Sequence, residues 1–529
     1  MKSTVKINGK PFFLIGGQVN NSSNYNKEDI IRSFKIAKEL GLNSIAIPFY
    51  WDQIEPKEGK YDTSSVELVL KLCKENDLKL CLIWFGTYKN GASTHAPAYI
   101  KSNPDKYWPI YTTNGHISAT LSPMCKETNL RDKEAFRQLL LKVKELDKDN
   151  IVVAVQVENE AGSLGAARDY SERGNKLYND KVPTEMVEMV ANLKKGSPIV
   201  DFYNDNGRKK ACSWEKMFGF YAPDIFMAYH FAKYINNVAE EAKKILNAPT
   251  YINVWTFDNG DLIPGLSYPS GGATKNSIEI YKAFAKNIDM ISPDVYANSL
   301  DVFEAQALPY ARKDNVFFIP ESFPSINQYP LIFKMIKEYQ LSGIHSFGID
   351  TLLDENGELT KSALEYKQVV NILNSSKELL EEHIGGDNFI AVYQMYNEPF
   401  KVYELDGYFI KVMFFNKNDP YIAHVDAKHR GEKTLNKKPL GFIFKNKDTF
   451  YLTGQGFCAR ITKKENVEQV TDSLLLDLAH NKNAFHQFID VKEGNYQNGK
   501  FTELRTRNGD EIDFGTWVDD DIGVVRVRF

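Results

Sequence analysis

Cysteine is scarce in this sequence, with five residues among 529 and no two of them spaced as C-x-x-C. A low, odd count without paired spacing argues against a disulfide framework and against a structural zinc site. Excess charge is also lacking, because 65 basic residues nearly balance 69 acidic ones. A chain this close to neutral shows no electrostatic footprint for nucleic acid, so we expect no nucleic-acid partner.

Long apolar runs are missing as well. No run reaches the eighteen residues that a membrane-spanning helix needs. The opening residues, MKSTVKINGKPFFLIGG, hold only a short apolar patch typical of a strand, without the apolar region and cleavage site of a secretory signal. We therefore expect a cytoplasmic protein with no membrane partner.

Aromatic residues, by contrast, are abundant. The chain contains 28 Tyr, 33 Phe and 6 Trp, and five of the six Trp precede residue 260. Flat apolar rings with polar edges suit a sugar-binding cleft, although large cores collect them too. Their position in the fold must decide between the two.

Short apolar runs alternate with amphipathic stretches through the first 370 residues or so. Eight strand-like runs with helices between them predict an α/β fold, a (β/α)8 TIM barrel, over residues 1–384. The spacing is longest after the third and fourth strands, and long loops of this kind belong on the catalytic face of a barrel. The predicted strands cover residues 12–17, 43–50, 79–86, 151–158, 250–257, 290–296, 315–322 and 343–350.

The pattern changes after residue 384. Gly385 and Gly386 end the last helix, and the runs that follow, such as 400–415 and 441–454, alternate as strands do. Asp406-Gly407 lies within the first run as a hairpin turn. We predict a β-rich, sandwich-like C-terminal domain over residues 385–529.

Two strand ends carry carboxylates. The fourth strand ends in AVQVENEAG, where Gln156, Glu158 and Glu160 share the polar face of an ideal strand. The seventh ends in VFFIPES, with Glu321 directly after the apolar run and Pro320 interrupting the ladder. Strands four and seven lie roughly opposite each other across the mouth of a barrel, so we expect a functional pair there.

Such a pair suits the cleavage of a glycosidic bond. One carboxyl group protonates the leaving oxygen, while the other attacks or activates water. The sequence contains no G-x-S-x-G elbow, Walker loop or H-E-x-x-H motif that would indicate another chemistry. We expect no metal and no organic cofactor.

The motifs at these strand ends resemble those of the β-galactosidases of glycoside hydrolase family 35. VQVENEAG is similar to their acid/base segment, FFIPES to their nucleophile strand, and FYWDQIEPKEGKYD to the segment after their second strand. WFGTYKNG, DIFMAYHFAKY, YPSGGA and the terminal GVVRVRF resemble a bacterial branch with a β-rich C-terminal domain. The first strand departs from the pattern, with GGQVNNSSN in place of a Gly-Glu-His type segment.

The resemblance implies a role for individual residues. Glu160 corresponds to the acid/base and Glu321 to the nucleophile, and Tyr296 resembles the tyrosine that orients the nucleophile. Asn159 would bind the sugar 2-OH, which requires an irregular strand end because its parity faces the helices. Further candidate sugar contacts at strand ends and in loops are Tyr50, Trp84, Lys89, Asn90 and Trp255.

The resulting prediction is a retaining exo-β-glycosidase, a β-galactosidase acting on a small oligosaccharide or other β-galactoside. A β-glucosidase or a transglycosylase on the same scaffold remains open, as does a carbohydrate-binding protein that has lost catalysis. A metal-dependent lyase using Glu158, Glu160 and Glu321 is the fourth alternative. Whether the chain forms a homo-oligomer is open.

Overall fold

The computed structural model describes residues 5–7, 9–256, 263–297, 299–323, 325, 328–414, 437–466, 488–512 and 515–529. Eight strands form one sheet in which neighbours are parallel. These strands are β1 (Leu14–Gln18), β2 (Ser44–Tyr50), β3 (Lys79–Lys89), β4 (Val152–Asn159), β5 (Thr250–Trp255), β6 (Met290–Val295), β7 (Glu321–Ser322) and β8 (Gly343–Phe347).

The sheet closes on itself between β7 and β8. Its strand order runs β7-β6-β5-β4-β3-β2-β1-β8. Ile319 completes the ring, since its N–H donates to the Gly343 carbonyl at 3.2 Å and its carbonyl accepts from His345 N–H at 2.9 Å. The seventh strand is shorter than predicted because Pro320 has no N–H for the ladder. The predicted (β/α)8 barrel is confirmed.

Amphipathic helices cover the outside of the barrel and fill the long loops after β3 and β4. The first one shows why its boundaries fall where they do: the Asn26 side chain accepts from Glu28 N–H, and Gly41 ends the helix at φ 75°. The helices are α1 (Lys27–Leu40), α2 (Trp51–Ile54), α3 (Ser64–Glu75), α4 (Ala98–Lys101), α5 (Lys126–Leu146), α6 (Glu172–Asn179), α7 (Thr184–Asn192), α8 (Pro198–Asp205), α9 (Trp214–Phe218), α10 (Ala222–Ile245), α11 (Ile278–Phe284), α12 (Leu300–Ala307), α13 (Tyr329–Tyr339) and α14 (Lys361–His383).

Two antiparallel sheets follow the last helix. Their orders are β9-β12-β13-β18-β15-β16 and β10-β11-β14-β17. Their strands are β9 (Phe389–Tyr393), β10 (Phe400–Leu405), β11 (Tyr408–Phe414), β12 (Leu440–Asn446), β13 (Thr449–Gln455), β14 (Phe457–Lys463), β15 (Asp490–Gln497), β16 (Lys500–Arg507), β17 (Thr516–Val518) and β18 (Val524–Arg528).

A shared apolar core holds these two sheets together. Ile443 and Leu452 of the first sheet pack in one cluster with Ile410 and Val412 of the second. This confirms the β-rich, sandwich-like fold after the barrel. The last residues of two predicted strands, Phe257 and Phe415, lie outside the described residues.

The sandwich packs against the outer helices of the barrel. Phe442 of β12 is fully buried and stacks on Phe333 of α13, with ring centroids 4.8 Å apart. The hydroxyls of Ser376 on α14 and Thr453 on β13 hydrogen-bond at 2.6 Å. The contact between barrel and sandwich is therefore an apolar one with at least one buried polar bond.

Within the described ranges, no helix combines the length and the apolar character needed to cross a membrane. All five cysteines are free thiols, four of them buried.

Replacing Phe442 by Ala should destabilise the fold by about 3–5 kcal/mol, because the ring leaves a cavity between barrel and sandwich. Thermal unfolding of the variant should begin well below that of the parent. Leu504, which is 67% exposed, provides the control; Leu504→Ala should change stability by no more than about 0.5 kcal/mol. Equal effects of the two substitutions would contradict the packing described.

Candidate active site

A cavity of about 590 Å³ lies at the mouth of the barrel, where the C-terminal ends of the strands meet. It brings together six of the residues singled out from the sequence, which line its wall: Lys89, Asn90, Glu160, Trp255, Tyr296 and Glu321. In a barrel of this type the loops at this end carry the chemistry, so the cavity is the candidate active site.

The end of β4 is irregular. Glu158 and Glu160 have positive φ angles of 62° and 44°, which interrupts the alternation of side chains along the strand. Asn159 therefore turns inward, and its Nδ2 donates to Glu321 Oε1 at 3.3 Å. The irregular strand end that the proposed contact of Asn159 requires is present.

Glu158 does not share the inward face with Glu160, which corrects the expectation from an ideal strand. Its Oε2 accepts from the Tyr88 backbone N–H at 2.6 Å, and its carboxyl meets that of Asp132. Asp132 itself accepts from Trp84 Nε1 at 2.7 Å and from the hydroxyls of Thr87 and Tyr234. Because the left-handed backbone turns the side chain outward, Glu158 lies away from the cavity.

Glu321 is surrounded by donors. Its Oε1 accepts from the side-chain amides of Gln18 at 2.8 Å, Asn253 at 3.2 Å and Asn159 at 3.3 Å. Its Oε2 accepts from the Tyr296 hydroxyl at 2.6 Å. Only an ionised carboxylate can accept through both oxygens without donating, so this set of partners fits a charged Glu321.

Glu160 has a different environment. Its carboxyl is buried, and its backbone N–H donates to Asn253 Oδ1 at 2.9 Å. Burial and the negative charge of Glu321 raise the pKa of Glu160 to about 7, while the positive charge of Lys89 acts in the opposite direction. The surroundings of the two glutamates thus favour different protonation states, ionised for Glu321 and protonated for Glu160. This is the pattern expected of a nucleophile and an acid.

The Lys89 ammonium connects the end of β3 to the site. Its Nζ donates to Asn159 Oδ1 at 2.9 Å and also contacts Asn90 Oδ1. Asn90 adopts a left-handed φ of 52°, and its N–H donates to the Asn159 carbonyl at 3.3 Å. The loop after β3 therefore holds the end of β4 in place.

Trp84 does not reach the cavity, contrary to the prediction that it contacts sugar. Its ring is buried against Phe136 of α5, with its indole N–H donating to Asp132. Strand β3 is apolar on both faces, since Leu80, Leu82 and Trp84 belong to the core outside the barrel, while Cys81, Ile83 and Phe85 belong to a second cluster inside it. The sequence pattern of such a strand does not reveal which face points outward.

Tyr50 also lies outside the lining of the cavity. It is fully buried and stacks on Tyr25, with ring centroids 3.8 Å apart. Its hydroxyl accepts from the Asn24 backbone N–H at 3.1 Å. Tyr25 is 43% exposed and covers it. Tyr50 supports the loop after β1 and is not placed to touch a ligand in the cavity.

Sequence reasoning missed three polar residues of the barrel interior: Gln18, Asn253 and Asp294. All three are buried, and Asn253 and Asp294 lie on the parity of β5 and β6 that faces the axis. A polar residue on the inward parity near the C-terminal end of an otherwise apolar strand was the available signal. The same rule singles out Gln156, Glu158 and Glu160 on β4, of which Glu158 turns outward.

Three carboxyl groups of the site could in principle hold a cation, since one oxygen each of Glu160, Asp294 and Glu321 lie within 4.8 Å of one another. Both oxygens of Glu321 already accept N–H or O–H donors, which a cation would have to displace. In a second acidic group, Asp519 to Asp521, the carboxylates of Asp519 and Asp520 pair with Lys437. The carboxyl groups of the cavity, with the hydrogen bonds that Glu321 accepts, fit proton transfer and nucleophilic attack.

A carboxyl pair at the mouth of a TIM barrel is the arrangement found in glycoside hydrolases. Residues 21–194, which include Asn159 and Glu160, match the model of glycoside hydrolase family 42, described as Beta-galactosidase. The chain is a glycoside hydrolase. The match supports a β-galactosidase-like enzyme and does not single out family 35.

A second family model, described as Domain of unknown function (DUF5597), matches residues 366–519. No curated protein matches the chain.

Solved structures similar to this chain include the catalytic domain of a β-amylase from Paenibacillus polymyxa, at 14% identity and a TM-score of 0.48, covering 68% of this chain and 98% of that one. The β-galactosidase of Bacillus circulans sp. alkalophilus has 14% identity and a TM-score of 0.47, with coverage of 70% and 57%. That of the haloarchaeon Halorubrum lacusprofundi has 12% identity and a TM-score of 0.48, with coverage of 68% and 58%. The chain thus spans little more than half the length of these two galactosidases.

Glu158→Gln should preserve the fold and become relatively more stable as the pH rises. Burial and Asp132 raise the pKa of Glu158 well above its ordinary value. The wild type therefore loses stability as the pH rises from the unfolded-state value near 4.5 towards the folded-state value, whereas Gln has no proton to lose. Thermal unfolding between about pH 5 and 8 should show the difference widening.

The matched variant is Asp132→Asn, which keeps the shape of the side chain but can accept through one oxygen only. It leaves buried donors without a partner and should cost about 1–3 kcal/mol. A difference between Glu158→Gln and wild type that does not vary with pH would contradict the raised pKa of Glu158.

Proposed function

We propose that the protein is a retaining exo-β-glycosidase that releases terminal β-linked galactose, with Glu321 as nucleophile and Glu160 as acid/base. The observation that carries the proposal is the pair itself, whose nearest oxygens lie within 4.8 Å in one cavity. Retaining enzymes hold their carboxyl groups about 5–5.5 Å apart, whereas inverting enzymes leave about 6.5–9.5 Å for a water molecule.

The first half of the reaction uses the two environments. Ionised Glu321 attacks the anomeric carbon, and Glu160 gives its proton to the departing glycosidic oxygen. Tyr296, on Oε2, and the amides on Oε1 hold the carboxylate in one orientation. A buried acid whose pKa lies near 7 is about half protonated at neutral pH, so a large share of the enzyme holds the proton and can still transfer it.

The second half reverses the role of Glu160. The departed aglycone leaves room for water, and the Glu160 carboxylate removes a proton from that water as it attacks the glycosyl-enzyme. Glu321 leaves as a carboxylate and returns to its four donors. The anomeric configuration is inverted twice and so retained.

The choice of galactose rests on the family 42 description and on the resemblance to family 35 β-galactosidases. Assignment to family 35 itself stays a prediction from the quoted motifs. The hydrogen bond from Asn159 to Glu321 supports a role for Asn159 in binding the sugar 2-OH, a contact that strengthens in the transition state. The Trp255 ring, 36% exposed on the cavity wall, offers an apolar face to a sugar or aglycone.

Hydrolysis of a panel of aryl β-glycosides tests the function. The β-galactoside should have the highest kcat/KM, and proton NMR of the first product should show the β-anomer. A preference for the β-glucoside would favour the alternative sugar, and transfer to added acceptor sugars would favour a transglycosylase. Early release of the α-anomer would overturn the retaining mechanism.

Variants of the two glutamates should respond to azide in different ways. Glu160→Ala should hydrolyse poor leaving groups at least about 10²-fold more slowly, since general acid catalysis is lost. An activated aryl galactoside still forms the glycosyl-enzyme, which azide then attacks to give β-galactosyl azide. Glu321→Gly cannot form that intermediate, so azide attacks the substrate directly and gives the α-azide. Product anomers are read by NMR.

Glu158→Gln is the matched control, because this neighbouring glutamate lies outside the cavity; it should turn over without azide. If Glu160→Ala gave the α-azide and Glu321→Gly the β-azide, the roles of the two glutamates would be exchanged.

Activity should fall as the pH rises through about 7, because the protonated form of Glu160 is the reactive one. Removing the Lys89 charge should move this alkaline limb of the kcat/KM profile to higher pH, since the ammonium favours the ionised form of Glu160. Lys89→Met tests this. Lys101→Met, which removes a lysine bonded to the Thr94 carbonyl, should leave the limb in place. A shift of the limb to lower pH in Lys89→Met would contradict its assignment to Glu160.

A further inference from the structure

The third carboxyl group of the cavity, Asp294, has no part in the mechanism given above. It lies on β6, paired in register with Trp255 of β5 and Glu321 of β7. Its side chain is buried and faces the cavity. Burying a third carboxyl beside two others is costly unless it is neutral or fully hydrogen-bonded.

The two oxygens of Asp294 differ in their partners. Oδ2 accepts from Asn253 Nδ2 at 2.7 Å, the same amide that donates to Glu321. Oδ1 receives no donor from the described residues. The carboxyl group of Glu160 lies in hydrogen-bonding contact with that of Asp294. Two carboxyl groups in contact repel each other unless a proton lies between them.

The surrounding donors exclude Glu321 as the holder of that proton. Glu321 accepts four hydrogen bonds, whereas Asp294 accepts one. Burial, the charge of Glu321 and that of Glu160 all raise the pKa of Asp294 well above its ordinary value. In the reverse direction, the hydrogen bond with Asp294 lowers the pKa of Glu160. Because Glu160 must give up its own proton as the acid, the proton that stays between the two carboxyl groups belongs to Asp294, which is the donor.

We propose that Asp294 is a positioning residue: a neutral carboxylic acid that donates a hydrogen bond to Glu160 and keeps its own proton throughout the reaction. The inference rests on the proposed function of Glu160. Because one oxygen of Glu160 accepts from Asp294, the reactive proton is confined to the other oxygen. After that proton has left, the same hydrogen bond stabilises the Glu160 carboxylate until it removes a proton from water.

Two substitutions separate this role from a structural one. Asp294→Asn mimics the neutral acid, because its Oδ1 can accept from Asn253 while its Nδ2 donates to Glu160. Asp294→Ala removes both contacts. Thermal unfolding of each variant establishes that it is folded, and the kcat/KM profile against pH is then measured with an activated and an unactivated aryl galactoside.

The Asn variant should keep kcat/KM within about tenfold of the wild type, with the alkaline limb unmoved. The Ala variant should lose about 10²-fold or more on the unactivated substrate. Its alkaline limb should move to higher pH, because Glu160 has lost a hydrogen bond that favours its ionised form. Rescue by Asn but not by Ala is the expected result.

An ionised Asp294 would give the opposite sign. Its negative charge would raise the pKa of Glu160, so both substitutions would move the alkaline limb downward, and the proposal would be overturned. Equal losses in both variants, or none in either, would also overturn it. So would loss of wild-type activity on chelation that a divalent cation restores, since a metal would then occupy the place of the proton.

A readout without turnover keeps this inference distinguishable from the proposed function. In infrared difference spectra of wild type against Asp294→Asn, taken at a pH where Glu160 is ionised, the wild type should show the carbonyl band of one additional protonated carboxylic acid. Absence of that band overturns the inference even if the enzyme is active. A wild type that turns over no glycoside yet shows the band would overturn the proposed function alone.

Discussion

The site depends on two left-handed residues at the end of β4. Glu158 and Glu160 both have positive φ, a conformation that costs of order 1–3 kcal/mol for a non-glycine residue. Three hydrogen bonds offset that cost: Glu160 N–H donates to Asn253 Oδ1 of β5, the Glu160 carbonyl accepts from Gly91 N–H in the loop after β3, and the Glu158 carbonyl accepts from Gln156 Nε2 of β4 itself. Without this break, Glu158 would face the axis and Asn159 the helices.

The same break gives the glutamates of one short motif separate environments. The Glu158 side chain lies on the outer face of the strand, where it meets Asp132, a carboxylate that already accepts several donors. Glu160 projects into the cavity beside Glu321. Gly86 makes room for the outer pair, since a Cβ at that position would lie 2.7 Å from Asp132 Oδ1 and 2.9 Å from Glu158 Oε1. The outer face of the strand end, with Glu158, packs against the surrounding helices, and the inner face, with Glu160, lines the cavity.

The closed barrel determines which distant residues converge on Glu321. Gln18, Asn159, Asn253 and Tyr296 come from the ends of β1, β4, β5 and β6, yet all four donate to its carboxylate. Parallel strands in one ring place their C-terminal ends at one mouth, so residues far apart in sequence share a wall. The sandwich packs on α13 and α14, the helices on either side of β8 in sequence, and so supports the barrel from outside.

The sequence by itself determined the barrel, the sandwich and the positions of Glu160 and Glu321, because apolar periodicity and strand order place the ends of strands four and seven at the same mouth. Only the tertiary structure decided that Trp84 faces α5, that Glu158 turns away from the cavity and that Asp294 contacts Glu160. A strand that is apolar on both faces shows no alternation in the sequence from which its outward face could be read. A left-handed φ at a glutamate has no signature in the sequence. Contacts between side chains of neighbouring strands depend on the register of those strands, which the sequence does not show.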